Sequence, residues 1–183
     1  MCAYSFTGSE LATRGRGGWR LALLVLVLAG AAGAASRAHA LEWGLIDPGQ
    51  TAMDAVRARY GEATSTSTQK IDDYNSTQWV YEGAQAPVGM ERMVVDFGLL
   101  TPQGYRPQIV RSLLLHPKPG AFNRTLVVQG WGIPTAVGAQ SGAPAYMYEE
   151  GLFVSFDQDG SDVTMMLFTP RQKIPPPEAA PPR

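Results

Sequence analysis

Four blocks of sequence recur in the same order along this chain, and that internal similarity constrains the fold more than any other feature. Pro48-Gly49-Gln50-Thr51 through Tyr60-Gly61-Glu62-Ala63-Thr64 aligns without gaps on Pro119-Gly120 through Trp131-Gly132-Ile133-Pro134-Thr135, at an offset of 71. Trp79-Val80-Tyr81-Glu82 answers Tyr146-Met147-Tyr148-Glu149. Met93 to Phe97 answers Leu152 to Phe156, and Val110 to Pro117 answers Val163 to Pro170. The offset falls through 67 and 59 to 53, so the first copy holds the longer loops.

Each copy reads as one helix followed by strands. After Pro48-Gly49, Thr51 is expected to cap a helix in which Met53, Val56 and Tyr60 share a face, and Gly61 to end it at positive φ. In the second copy Asn123 is the expected cap. Thr125, Val127, Val128 and Gly130 make that helix intrinsically weak, so packing must hold it. Short runs of alternating character, separated by Gly, Pro and Asp, place strands at 77–82, 91–98 and 108–115, then at 145–150, 152–157 and 162–168. The expected fold class is α+β: two tandem helix-plus-three-strand antiparallel repeats, over 41–117 and 118–170, forming a shared sheet with helices on one face.

The pattern Ile46-x-Pro48-Gly49-x-Thr51-x-x-Asp54-x-Val56-x-x-x-Tyr60-Gly61, followed by a hairpin with a Trp79-x-Tyr81 core, resembles the SmpA/OmlA (BamE-like) family. The duplication is similar to the β-lactamase-inhibitor-protein-like superfamily. That resemblance, over roughly residues 45–170, implies a concave sheet and a non-catalytic binding module. It implies no contact residue, because no contact motif matches one for one.

The first 40 residues read as an export signal. Arg14, Arg16 and Arg20 precede the apolar run Leu21 to Leu28, and small residues lead to Ala38-His39-Ala40, with cleavage expected after Ala40. The uncharged stretch from Leu21 to Ala35 falls short of the ~20 residues a membrane span needs. Ala31 stands where a lipoprotein would carry its acylated Cys, so no lipid anchor is expected. Cleavage removes Cys2, Glu10 and four arginines, leaving 143 residues with 11 basic and 15 acidic side chains. Such a chain has no disulfide or thiolate chemistry and no basic surface for nucleic acid. The stretch 171–183, with five prolines between Ile174 and Arg183, reads as a disordered tail.

Little in the remainder points to catalysis. His116 is the single histidine beyond the signal; it precedes Pro117 at a strand end, and its counterpart is Thr169. A triad or a zinc site would need partners that no spacing supplies. The loop Asp157-Gln158-Asp159-Gly160-Ser161-Asp162 departs from calcium-loop spacing and reads as turn chemistry; Asp72-Asp73 reads as a solvated loop. Gly130-Trp131-Gly132 lacks phosphate-loop spacing, and Asn75 and Asn123 open glycosylation patterns that matter only in a host that uses them. No catalytic residue, metal or cofactor is expected.

The candidate partner-binding residues are Trp79, Tyr81, Tyr146 and Tyr148, which alternation places on one sheet face. Packed under the helices they are core; on the open face they form a recognition patch. Val80 and Met147, at the alternate positions, are apolar too, so the pattern leaves both readings open. The functional expectation is an exported, periplasmic or secreted protein-binding module of the cell envelope, acting through a sheet face. The alternatives are an envelope hydrolase with a carboxylate-based site and a structural envelope protein.

Overall fold

The computed structural model describes residues 42–171 apart from Asp72. The expected signal peptide, Cys2 and nearly all of the Pro-rich tail lie outside the described residues. Helix α1 spans Met53–Tyr60, followed by β1 (Ser65–Ile71), β2 (Tyr74–Glu82), a 3-10 turn (Gly83–Gln85), β3 (Met90–Thr101) and β4 (Gly104–Pro117). Helix α2 spans Arg124–Trp131, followed by β5 (Ala136–Gln140), β6 (Ala143–Tyr148), β7 (Leu152–Phe156) and β8 (Val163–Phe168).

All eight strands belong to one antiparallel sheet in the order β1-β2-β3-β4-β8-β7-β6-β5. This corrects the expected architecture of two helix-plus-three-strand repeats: among the described residues the sheet dominates, the helices are two segments of eight residues, and four strands follow each helix. The strands that sequence reasoning omitted are β1 and β5. They are the two edges, exposed along almost their whole length, and so carry no apolar alternation to betray them.

The sheet closes at its centre through three residue pairs, Leu113↔Phe168, Leu114↔Leu167 and Leu115↔Met166. Beyond Leu115 the two strands are no longer paired.

One side of the sheet, here the inner face, carries the core. Trp79, Tyr81, Met93, Val95, Phe97, Leu113 and Leu115 join Met166, Phe168, Leu152, Val154 and Phe156 in a single buried cluster, and both helices contribute to it. Each helix buries one side chain completely, Val56 in α1 and Val127 in α2. With so little apolar area per helix, neither would persist alone at eight residues; the sheet holds them.

The helix starts differ from one another. Asn123 accepts the Leu126 N–H through its side chain at 3.0 Å, an ordinary cap. Thr51 does not cap α1: its hydroxyl accepts the Asp47 N–H at 2.9 Å, closing the preceding turn, and α1 begins after Ala52 with no side-chain cap.

Matching backbone contacts tie each helix entrance to the fourth strand after it. Ala52 bridges Ile109, and Asn123 bridges Asp162. The Val110 N–H donates to the Thr51 carbonyl, and the Val163 N–H to that of Phe122.

Candidate binding face

The four aromatic residues singled out by alternation lie on the inner face. Trp79 is 4% exposed, meets Phe97 edge-on at 4.8 Å, and carries the Arg57 guanidinium 5.0 Å above its ring. Tyr81 is fully buried and donates its hydroxyl proton to the Gly61 carbonyl at 3.2 Å. Tyr148 is 4% exposed and does the same with the Gly132 carbonyl at 3.1 Å. Tyr146, half-buried, packs edge-on against Phe156 under the guanidinium of Arg124. Trp79, Tyr81 and Tyr148 belong to the core and Tyr146 packs half-buried against it, so of the two readings left open this set takes the core one. The decisive feature is that the tyrosine hydroxyls reach carbonyls at the helix ends, which only the helix-covered face allows.

Burial pushes the Tyr81 hydroxyl up to about 12; the Glu62 charge adds to the rise and Arg57 opposes it. Burial also raises Tyr148, with Tyr146 contributing. A tyrosine that titrates higher when folded than when unfolded stabilises the fold fully below its unfolded value of 10.0, and that contribution is lost as pH rises to the folded value. Denaturant unfolding between pH ~10 and ~12 should therefore show falling stability, and Tyr81→Phe should flatten part of that fall. A wild-type chain as stable at the upper limit as at the lower would contradict this.

The opposite, outer face carries what the sequence reading missed. Register aligns Val80, Val94, Leu114, Leu167, Phe153 and Met147 in one row that crosses six strands. Val80 and Val94 are buried yet stand outside the core cluster; the other four are half-buried. The signal was present, since the central strands are apolar at both parities, but the strand order that lines these residues up cannot be read from one sequence.

Around the Met147–Phe153–Leu167 end, Tyr148, Gly151, Leu152 and Thr169 complete an open, largely apolar hollow of about 330 Å³.

Polar rows flank the apolar one. On one side Gln78 donates to Asp96 Oδ1 at 2.9 Å, Ser112 donates to Asp96 Oδ2 at 2.8 Å, and Arg111 lies 3.7 Å from the same oxygen. On the other side Glu82, Arg92 and His116 stand in register, with Arg92 3.8 Å from Glu82. That second row borders an open cleft of about 820 Å³, formed where β4 and β8 part and reaching Asp157 and Asp162.

In this cleft Asp157 is engaged with its own loop. It accepts N–H groups of Ser161 and Asp162 at 2.8 and 3.2 Å and the Ser161 hydroxyl at 3.2 Å. Desolvation raises its carboxyl, but Asp159 and these hydrogen bonds outweigh it, so Asp157 is held below the ordinary carboxylate range. A general acid requires the opposite shift. Among the described residues no group of three or more His, Cys, Asp or Glu side chains could hold a metal ion. Of the Asp72-Asp73 pair, only Asp73 is among the described residues.

No helix among the described residues is long and apolar enough to cross a membrane. No family model matches the chain, and no curated protein does. A solved structure, a DUF4309 family protein (YjgB) from Bacillus subtilis subsp. subtilis str. 168, is similar over 68% of this chain and 82% of its own. Its identity is 10% and its TM-score 0.39, a likeness too distant to carry an argument.

Proposed function

We propose that this chain is an exported, non-catalytic binding module of the cell envelope that holds a protein partner on the outer face of its sheet. The basic, apolar and small-residue order of residues 13–40 supports export. The observation that carries the binding reading is the half-buried apolar part of the row, Leu114, Leu167, Phe153 and Met147, which stands outside the core cluster and ends in a hollow large enough for one anchoring side chain.

The row also indicates the partner's shape. Its accessible part, Leu114, Leu167, Phe153 and Met147, crosses four strands at about 4.8 Å and is roughly 14 Å long, the length of about 10 helical residues. It runs across the strands and is flanked on both sides by polar side chains. An amphipathic helix laid along it would bury its apolar stripe and leave its polar shoulders against Asp96 on one side and Glu82, Arg92 and His116 on the other.

A photoreactive phenylalanine at position 153 tests this in intact cells expressing the full chain. The expected result is one adduct in the envelope fraction, whose crosslinked segment is an amphipathic helix, with the adduct lost on Leu167→Lys at unchanged melting temperature. The same probe at Ala58, exposed on α1, should give none. Equal labelling from both positions, or none from position 153 in a folded protein, would refute the reading.

A further inference from the structure

The two halves of the described chain differ where their surfaces ought to match. In each half the helix ends on a glycine whose N–H donates four residues back, to Arg57 in α1 and to Val128 in α2, and whose carbonyl accepts a tyrosine hydroxyl. Arg57 therefore corresponds to Val128, and Glu62 to Ile133. Arg57 and Glu62 form an ion pair at 3.3 Å, the ordinary chemistry of an exposed surface. At the corresponding positions Val128 and Ile133 are exposed, Ile133 by 87%. Nor does Val128 inherit Arg57's second contact: the cation over the Tyr146 ring comes from Arg124 instead. Leu126 on α2 and Val137 on the edge strand β5 are exposed apolar side chains as well.

From Leu126 to Tyr148 the chain carries no charged side chain and no histidine. The edge strand in this stretch is thus unguarded, whereas the opposite edge β1 carries Lys70, a usual guard against edge pairing. The β5–β6 hairpin closes on Gln140 and Ala143 around Ser141-Gly142, both at positive φ. Such a two-residue turn makes the closing pair hydrogen-bonded. Gln140, Gly138 and Ala136 therefore bond toward β6, and Val137 and Ala139 direct their backbone groups outward.

We infer that β5 and the uncharged surface of α2 behind it form a self-association surface, through which two copies join by antiparallel β5–β5 pairing about a two-fold axis at Gly138. The outward groups fit such an axis: Val137 of one copy and Ala139 of the other exchange N–H and C=O bonds on each side of a central Gly138–Gly138 pair. A second copy is the occupant because an isologous contact sets each patch against itself. A charged patch would meet its own sign there, whereas this one is neutral in a chain whose acidic side chains lie elsewhere. The Val137 side chain, opposite Tyr146 in register, lies on the helix side of the sheet, where it would pack against Ala139 of the second copy.

Gly138 supplies the test. A side chain there meets only Met147 Cε, at 3.5 Å, an ordinary contact. On the axis, the two copies' Cα atoms would lie about 4.5 Å apart, within disulfide range. In a Cys2→Ser background, Gly138→Cys should oxidise to a covalent homodimer, while Ser67→Cys at the corresponding position of β1 should not. Sedimentation velocity of the unaltered chain should show a dimer that Val137→Lys with Ala139→Pro converts to monomer; the proline removes only an outward N–H. The proposal is overturned if the unaltered chain sediments as a monomer at every concentration, or if Gly138→Cys dimerises no more than Ser67→Cys. Mixed disulfides with another protein in place of the homodimer, or a dimer that survives the double variant, would also overturn it. None of these measurements depends on the outer face, so the two proposals stand or fall separately.

Discussion

Tyr81→Ser should lower the unfolding free energy by about 3–5 kcal/mol, and Tyr148→Ser should cost nearly as much. The ring of Tyr81 is fully buried, in contact with Tyr60 at a centroid distance of 6.1 Å, and truncation leaves a cavity between α1 and β2. The lost hydroxyl also leaves the Gly61 carbonyl without its tyrosine donor, a further destabilisation of about 1 kcal/mol. Tyr148 is 4% exposed with an equivalent bond to Gly132, so the second substitution tests the same arrangement at the other helix. Urea unfolding at neutral pH measures both as a shift in midpoint at constant slope, alongside a fall in melting temperature of roughly 10 °C or more. A variant that melts like wild type but loses a bound partner would restore these tyrosines to the recognition surface.

That choice of face is where the sequence stops informing. Alternation in Trp79-Val80-Tyr81 and Tyr146-Met147-Tyr148 pairs the aromatics correctly with one another, yet Val80 and Met147 leave the opposite side apolar as well. Which side lies under the helices is fixed by tertiary contacts, in particular the single buried valine that each helix contributes. The expected strands were found at their centres but missed at their ends, falling short in the first copy and overrunning Tyr148 and Phe156 in the second. The run placed at 91–98 continues as Met90–Thr101, and the run placed at 108–115 begins at Gly104, because the β3–β4 hairpin extends outward through Leu99-Leu100-Thr101 and Gly104-Tyr105-Arg106-Pro107, which carry no apolar alternation.

The edges escaped for a related reason. Ser65–Ile71 is almost entirely polar and Ala136–Gln140 is small and uncharged, since a strand with one neighbour and two wet faces needs no apolar side. Thr51 misled through chemistry that capping shares with turns: a threonine hydroxyl serves a turn N–H as readily as a helix start, and here it serves Asp47. The outer row depends on register between strands that are distant in sequence, above all the β4–β8 pairing of Leu114 with Leu167, which no local pattern contains.

Gly151→Ala should be the most damaging glycine-to-alanine change among the described residues that meets a backbone atom, at about 3 kcal/mol or more. Gly151 adopts φ 109° in the turn between β6 and β7, a region that an L side chain enters at a cost of about 1–3 kcal/mol. A Cβ there would also sit 2.0 Å from the Thr169 carbonyl oxygen, a backbone atom that cannot swing aside. Thr169 is held in place because its N–H donates to the Gly151 carbonyl at 2.8 Å, so relieving the clash breaks the bond that fastens the end of β8 to this turn. Gly132→Ala provides the internal comparison. Its φ of 81° imposes a similar strain, but a Cβ there meets nothing within 4 Å, so the difference between the two variants isolates the clash. Denaturant unfolding should place Gly151→Ala at least ~1.5 kcal/mol below Gly132→Ala, within the usual range for an overpacked contact. Equal stabilities would mean that the β6–β7 turn and the β8 terminus are not locked together. The hollow that Met147, Phe153 and Leu167 share would then lack the rigid wall that an anchoring site requires.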